Sequence, residues 1–172
     1  MPGALTLLAR YGIALEAHLQ NCVPVFSGGT VRRVLIRDWG GARVYRPRLA
    51  AHGLSADFEP GSLTVTDELA VARAKLFYTL FQNHLAEIVA IAAAEAHSDE
   101  APCWAIIREV AAATYRDLAA DPATREAAES DWAALTAPLV LHKALASMRL
   151  RAGGGDHHVL VPNPLADGPA PW

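Results

Sequence analysis

EAHLQNCVPVFSGGTVRRVLIRDWGG, residues 16–41, is the stretch that decides how this chain folds. Two runs rich in Val, Ile and Leu, 22–26 and 31–38, flank Ser27-Gly28-Gly29-Thr30. Paired glycines supply the positive φ angles of a tight turn, so the runs read as an antiparallel hairpin. Pro24 brings no amide donor to a ladder, which makes the first strand short or an edge. After Gly40-Gly41, residues 42–47 (ARVYRP) read as a third strand.

Working outward, the pattern becomes helical. Leu5, Leu8 and Leu15 fall at helical intervals within 3–18, with Gly12 a mild weakness. Residues 48–65, with Gly53, Pro60 and Gly61, read as irregular. Thr66-Asp67-Glu68 starts a long helix to about residue 96, its acids placed at the positive end of the dipole. Ser98-Asp99-Glu100 opens another over 99–120, with Pro102 in its first turn, and Pro122 and Pro138 introduce helices near 123–135 and 138–151. Gly153-Gly154-Gly155 ends the regular structure, and the Pro-rich stretch from 162 is expected to be extended. The expectation is an α+β fold: a small antiparallel β-hairpin sheet, 22–47, packed on a mostly helical body, 66–151. This makes a single domain, 1–165, followed by an extended tail, 166–172.

The 172 residues are 52% hydrophobic, a composition that buries a core and excludes a disordered tail. Net charge is −3, unevenly spread. Residues 31–48 hold Arg32, Arg33, Arg37, Arg43, Arg46 and Arg48 against Asp38 alone, while 57–131 hold fourteen acids and five bases. An anion-facing basic edge on an acidic body is the expected layout, which argues against a nucleic-acid binder. Cys22 and Cys103 lie far apart, so neither a disulfide scaffold nor a cysteine-built zinc or iron–sulfur centre is expected. The chain does not start with the basic, then apolar, pattern of a signal peptide, and the apolar run 85–94 is short and contains Glu87; the expectation is a cytoplasmic protein with no membrane partner.

The hairpin gives the polar residues around it a meaning. With Gly28-Gly29 at the turn, Phe26 faces Val31 and Cys22 faces Leu35, and Gln20 and Asn21 arrive within two residue steps, about 7 Å, of Asp38. One carboxylate and two amide oxygens suit Mg²⁺, which commonly takes one or two protein ligands alongside phosphate oxygens. Arg37 can neutralise an anion through its fork of donors, and His18 can serve as acid, base or polar clamp. Taken singly, each has an ordinary reading too: amides satisfy loose carbonyls at helix ends, and Asp-X-Gly-Gly makes turns. Together, amides, a tight hairpin and an Asp before glycines recur where proteins hold Mg²⁺ and a nucleoside triphosphate. A protein kinase is not implied, because Gln20 stands where a catalytic-loop aspartate belongs, and no Gly-rich loop or strand lysine precedes it.

YGIALEAHLQN (11–21), VLIRDWGG (34–41), LFQNHLAEI (80–88) and HKALASMRL with NPL (142–150, 163–165) occur in this order. Together they resemble the C-terminal region of the IucA/IucC-type, NRPS-independent siderophore synthetases, the aerobactin-synthetase-like enzymes. The likeness runs almost the whole chain; its first two blocks are specific, and Trp39 stands where that family usually has Phe. The resemblance implies the palm lobe of a hand-shaped ligase that uses ATP and Mg²⁺ to adenylate citrate or a similar polycarboxylate, from which an amine or alcohol displaces AMP. It implies that Glu16, His18, Gln20, Asn21 and Asp38 line the nucleotide, metal and carboxylate pocket. His18 would hold the carboxylate and the α-phosphate, and Asp38 would position Mg²⁺ with Gln20, Asn21 or Glu16. Arg37 beside the site either contributes to catalysis or points to the core layer or solvent. Full members carry a long N-terminal portion that supplies the fingers, so the expectation is a fragment, a split subunit with a separately encoded N-terminal lobe, or an inactive descendant.

Other residues have simpler readings. Asn83-His84 reads as a cap or interhelical hydrogen bond, Lys143 and Arg149 as solvated cations, and His157-His158 as too few ligands for a metal. Leu76, Leu80, Ile88 and Ile91 form an apolar stripe that is core or an interface, to a partner lobe or a second copy in a homodimer. Two competing functions stand beside the ligase: the FhuF-like iron reductase or siderophore-iron module whose label is attached to this same region, and a non-catalytic binding module.

Overall fold

The computed structural model describes residues 1–144, 158–166 and 168–172. Helix α1 (Pro2–Tyr11) ends on Gly12, whose left-handed φ of 72° lets its amide bond back to Leu8 O at 2.9 Å. No other residue fits there, since a Cβ on Gly12 would stand 2.6 Å from Tyr45 O. Strand β1 (Ile13–Ala14) follows, then β2 (Cys22–Ser27) and β3 (Thr30–Ile36), which form the expected hairpin with Gly28 and Gly29 both at positive φ.

Two details of that hairpin differ from expectation. The pairing slips between Val25 and Phe26, so Arg32 is passed over and Cys22 faces Ile36 instead of Leu35. Such a bulge adds one residue to one strand and bends it, and the alternation of Val-Arg-Arg-Val gives no warning of it. The segment after Gly40-Gly41 does not join the hairpin: β4 (Arg43–Tyr45) pairs antiparallel with β1 and parallel with β5 (Val65–Thr66) in a separate sheet. Asp38, at φ 61°, and the 3₁₀ turn Trp39–Gly41 redirect the chain between the two sheets.

Helix α2 (Arg46–Ala51), entered through Pro47, occupies ground read as the end of the third strand and the start of the irregular stretch. Then one unbroken helix runs Leu69–Ala96: α3 (Leu69–Phe77), a π-helical stretch (Tyr78–Leu85) and α4 (Ala86–Ala96). Its length and apolarity would suffice to cross a membrane, yet Arg73, Lys75, Thr79 and His84 are all engaged by the rest of the chain. Helices α5 (Ala101–Ala120) and α6 (Arg125–Leu135) complete the body. The expected helix 138–151 is instead a strand at its start: β6 (Leu139–Lys143) pairs antiparallel with β7 (His158–Pro162). A partner so distant in sequence overrides the helical spacing, as strand formation depends on neighbours more than on intrinsic preference. Arg149, the triple glycine and His157 lie outside the described residues.

The core joins α1, α3, α5 and α6 through Leu5, Leu8, Leu76, Tyr115 and Trp132, the last two rings meeting edge-on at 5.9 Å. Leu76 and Leu80 of the apolar stripe are core, whereas Ile88 and Ile91 are exposed. At one edge lies fully buried Asp131: Arg48 donates to its two oxygens at 2.7 and 2.9 Å, and Arg73 Nε at 2.8 Å. The basic edge inferred from charge counting is thus partly internal. Arg48 serves Asp131, Arg46 pairs with Asp67, and Arg43 donates to the carbonyls of Gly41 and Ala42.

Candidate functional site

Residues 15–21 leave β1 and lead into the hairpin, and the long helix holds them. Glu16 Oε1 accepts from Lys75 Nζ at 2.7 Å, both groups part-buried. That bond holds the Glu16 carboxyl below its ordinary range, burial opposing it and the Lys75, His18 and Arg43 charges assisting. Ala17 is buried, with its amide on Thr79 Oγ1 (3.2 Å) and its carbonyl on His84 Nδ1 (3.0 Å). His18 Nε2 lies 3.5 Å from Asn21 Nδ2, which also donates to Glu16 O at 3.1 Å. Asn21 is only 2% exposed. Its amide nitrogen ties the 16–21 turn together.

The hairpin stem supplies the other side. Arg37 N donates to Asn21 O at 3.0 Å, one step beyond the Cys22–Ile36 pair, and Arg37 Nε donates to Gln20 O at 3.1 Å. Beyond this level the ladder ends: residues 19–21 form a turn and Asp38 takes φ 61°, so Gln20 and Asp38 follow directly on the two sides of the stem. Both side chains are exposed. Asp38 holds a left-handed conformation that an aspartate tolerates by bonding its own turn, here Oδ1 to Gly40 N at 3.3 Å. Gly41 closes the loop onto Glu16: a Cβ there would overlap the Glu16 carboxylate. Glu16, His18, Gln20, Asn21, Arg37 and Asp38 are therefore brought into one neighbourhood, but with unequal freedom. Glu16 is engaged by Lys75, Asn21 faces inward with its nitrogen, and Gln20, Arg37 and Asp38 reach the surface.

Among the described residues, no group of three or more His, Cys, Asp or Glu could hold a metal by itself. The available set is one exposed carboxylate, Asp38, whose Oδ1 also accepts from Gly40 N, with the exposed Gln20 amide. This fits Mg²⁺ carried on phosphates, which brings most of its own ligands as phosphate oxygens and water, and does not fit a fully protein-made cage. The cations Arg37 and Arg43 suit an anionic ligand. Sequence reading missed Lys75, Thr79 and the role of His84. A lone lysine inside the apolar run 69–81 was the available signal for the first.

A sequence model of the family described as "Ferric iron reductase FhuF-like transporter" matches residues 1–157. The chain belongs to this FhuF-like family. The chain is 30% identical over 174 residues to the D-ornithine–citrate ligase of Staphylococcus aureus (strain NCTC 8325 / PS 47), a match that covers 94% of this chain and 26% of the ligase. Staphyloferrin A synthase of the same organism is 32% identical over 89 residues, covering 52% of this chain and 15% of the synthase. The crystal structure of petrobactin biosynthesis protein AsbB from Bacillus anthracis str. Sterne superimposes with a TM-score of 0.83 at 24% identity, over 95% of this chain and 29% of AsbB. The α+β fold and the kinship with siderophore synthetases are as the motifs implied, and the FhuF-like chain spans about a quarter of the ligase's length.

Proposed function

We propose that this FhuF-like chain is the palm lobe of an ATP-dependent siderophore synthetase. The lobe would take part in adenylation of citrate or a related polycarboxylate and its condensation with an amine or alcohol, in the cytoplasm, together with a separately supplied N-terminal lobe. The observation that carries this reading is the hairpin stem, where the Arg37 amide on Asn21 O brings the exposed Gln20 and Asp38, each next to that bond in sequence, to the end of the hairpin that also holds His18 and Glu16. The relatives' names support the reaction class, and a chain covering a quarter of the ligase supports a second lobe. Asp38 with the Gln20 amide would hold Mg²⁺; the ion supplies charge neutralisation on the phosphates. Arg37 would face the phosphate or carboxylate oxygens, and His18, next to the buried Asn21 amide, would hold the reacting carboxylate as negative charge builds. Glu16 serves as an anchor in this reading, since Lys75 already occupies it.

Calorimetric titration with Mg-ATP tests it. Weak binding by the wild-type chain, abolished in Asp38→Ala, supports the reading; equal heats from the two proteins count against it. The family's description favours a second reading, ferric iron reduction. Ferric reduction by the purified protein, with visible absorbance from bound iron, would establish that activity. Saturable citrate binding without any response to Mg-ATP would instead mark a non-catalytic binding module.

A further inference from the structure

Two consecutive residues, Glu16 and Ala17, are held by one helix, and His18 follows them directly. Lys75 pairs with the Glu16 side chain, and Thr79, one α-turn later, accepts the Ala17 amide while its hydroxyl proton goes to Lys75 O at 2.9 Å. His84 takes the Ala17 carbonyl through Nδ1. Thr79 and His84 are five positions apart. On an α-helix five residues turn through about 500°, leaving their side chains ~140° apart. In a π-helix the repeat hydrogen bond spans five residues, so positions five apart come to the same face. The helix is π-wound over Tyr78–Leu85, the span that contains both residues.

We infer that the π-helical turn is a positioning device: its winding lets Thr79 and His84 grip both sides of the Ala17 peptide, and with Lys75 they fix where Glu16 and His18 point. Lys75, Thr79 and His84 are positioning residues of the site, not groups that touch ligand. This inference rests on the proposed reading of His18 and Asp38 as ligand-facing. A helix serving only as core has no need of the irregular winding, since Leu76, Leu80 and Phe81 already supply its buried face.

The test uses the full chain, ¹⁵N-labelled and with ¹³C-labelled histidine, as wild type, Thr79→Val, His84→Gln and His84→Asn. The readouts are the Ala17 amide and His18 ring resonances, the thermal midpoint, and Mg-ATP affinity by calorimetry. Thr79→Val and His84→Gln are expected to move both sets of resonances and weaken Mg-ATP about fivefold or more. His84→Asn, whose amide nitrogen replaces Nδ1 as donor, is expected to return both readouts close to wild type at a thermal midpoint similar to that of His84→Gln. Unmoved Ala17 and His18 resonances in Thr79→Val and His84→Gln overturn the inference, as does a His84→Asn protein that behaves like His84→Gln. If the wild-type chain takes up no Mg-ATP, the nucleotide reading fails by itself, and the resonances still decide whether the brace exists.

Discussion

Lys75 Nζ stands 2.7 Å from Glu16 Oε1, a part-buried ion pair between the long helix and the segment leading into the hairpin. Replacing Lys75 by Met keeps the aliphatic stem and removes the charge. The Glu16 carboxyl, held low chiefly by the Lys75 hydrogen bond, then rises toward its ordinary 4.5. A carboxyl depressed on folding stabilises the native state above its unfolded pKa and loses that contribution as pH falls through its folded value. Lys75→Met should therefore be less stable than wild type at neutral pH, by about 1 kcal/mol. The gap should close as Glu16 becomes protonated in both proteins. Urea unfolding followed from neutral pH to about pH 3 reads both limbs, and the Glu16 side-chain carbon shift reads the pKa directly.

Gly41 meets the same carboxylate from the other side. A Cβ at this position would overlap Glu16, and both the Glu16 carboxyl and its Cβ lie within reach of the clash. Gly41→Ala should move either the Trp39–Gly41 turn or the Glu16–Lys75 pair, at a cost of about 1–3 kcal/mol, as for other insertions into close contacts. Gly40→Ala is the control, since a Cβ there meets only an Asp38 oxygen at 3.5 Å. Paired denaturation curves showing equal midpoints for the two variants would mean that Gly41 does not fix Glu16.

The hairpin was legible because Gly28-Gly29 demands one kind of turn, and the helices because their apolar spacing and prolines are local signals. Register was less so. The bulge that passes over Arg32 depends on how the strands twist, and it shifts Asn21, rather than Gln20, to the level of Arg37. Sheet membership was not legible: β4 leaves the hairpin for β1 and β5, and β6 finds β7 across a long gap. Those choices are made by tertiary neighbours. The site residues could be named from their motif, but their freedom could not. That Glu16 is already paired and Ala17 held on both sides follows from Lys75, Thr79 and His84, which approach from another element. The π-winding that brings two of them together has no periodicity signal of its own.

Asp131 concentrates charge where water does not reach. It is fully buried, gripped at both oxygens by Arg48 and at one by Arg73, whose Nη2 also donates to Ser130 Oγ at 2.6 Å. These contacts tie α2, α3 and α6 together beside the core. Asp131→Ala leaves two largely buried guanidiniums facing each other without their anion, which should cost roughly 3–5 kcal/mol. Replacing Arg48 and Arg73 by Met together with Asp131→Leu should recover most of that loss, because apolar groups of similar size often substitute for a buried charge cluster. Guanidinium chloride unfolding of the single and triple variants makes the comparison. A triple variant as unstable as Asp131→Ala would show that the charged hydrogen bonds, including those of Arg48 to Leu8 O and Ala127 O, contribute more than shape does.

Leu165 and the stretch 168–171 lie along α5 because arginines collect their carbonyls. Arg108 Nε donates to Leu165 O at 3.1 Å and Nη2 to the carbonyls of Gly168 and Pro169 at 2.8 and 3.0 Å, while its guanidinium stacks 4.9 Å over Trp132. Arg116 adds a bond to Pro171 O at 2.7 Å, and Trp172 meets Trp132 edge-on at 6.5 Å. An ammonium has no planar fork, so Arg108→Lys keeps the charge but cannot serve three carbonyls and a ring at once. The variant should lose about 1–2 kcal/mol from hydrogen bonds and stacking. Its Trp172 fluorescence should shift toward that of a solvated indole, while the amides of α1 and α3 keep their hydrogen-exchange protection. Unchanged fluorescence would assign the docking to Leu165, which is buried in its own right, and to Arg116.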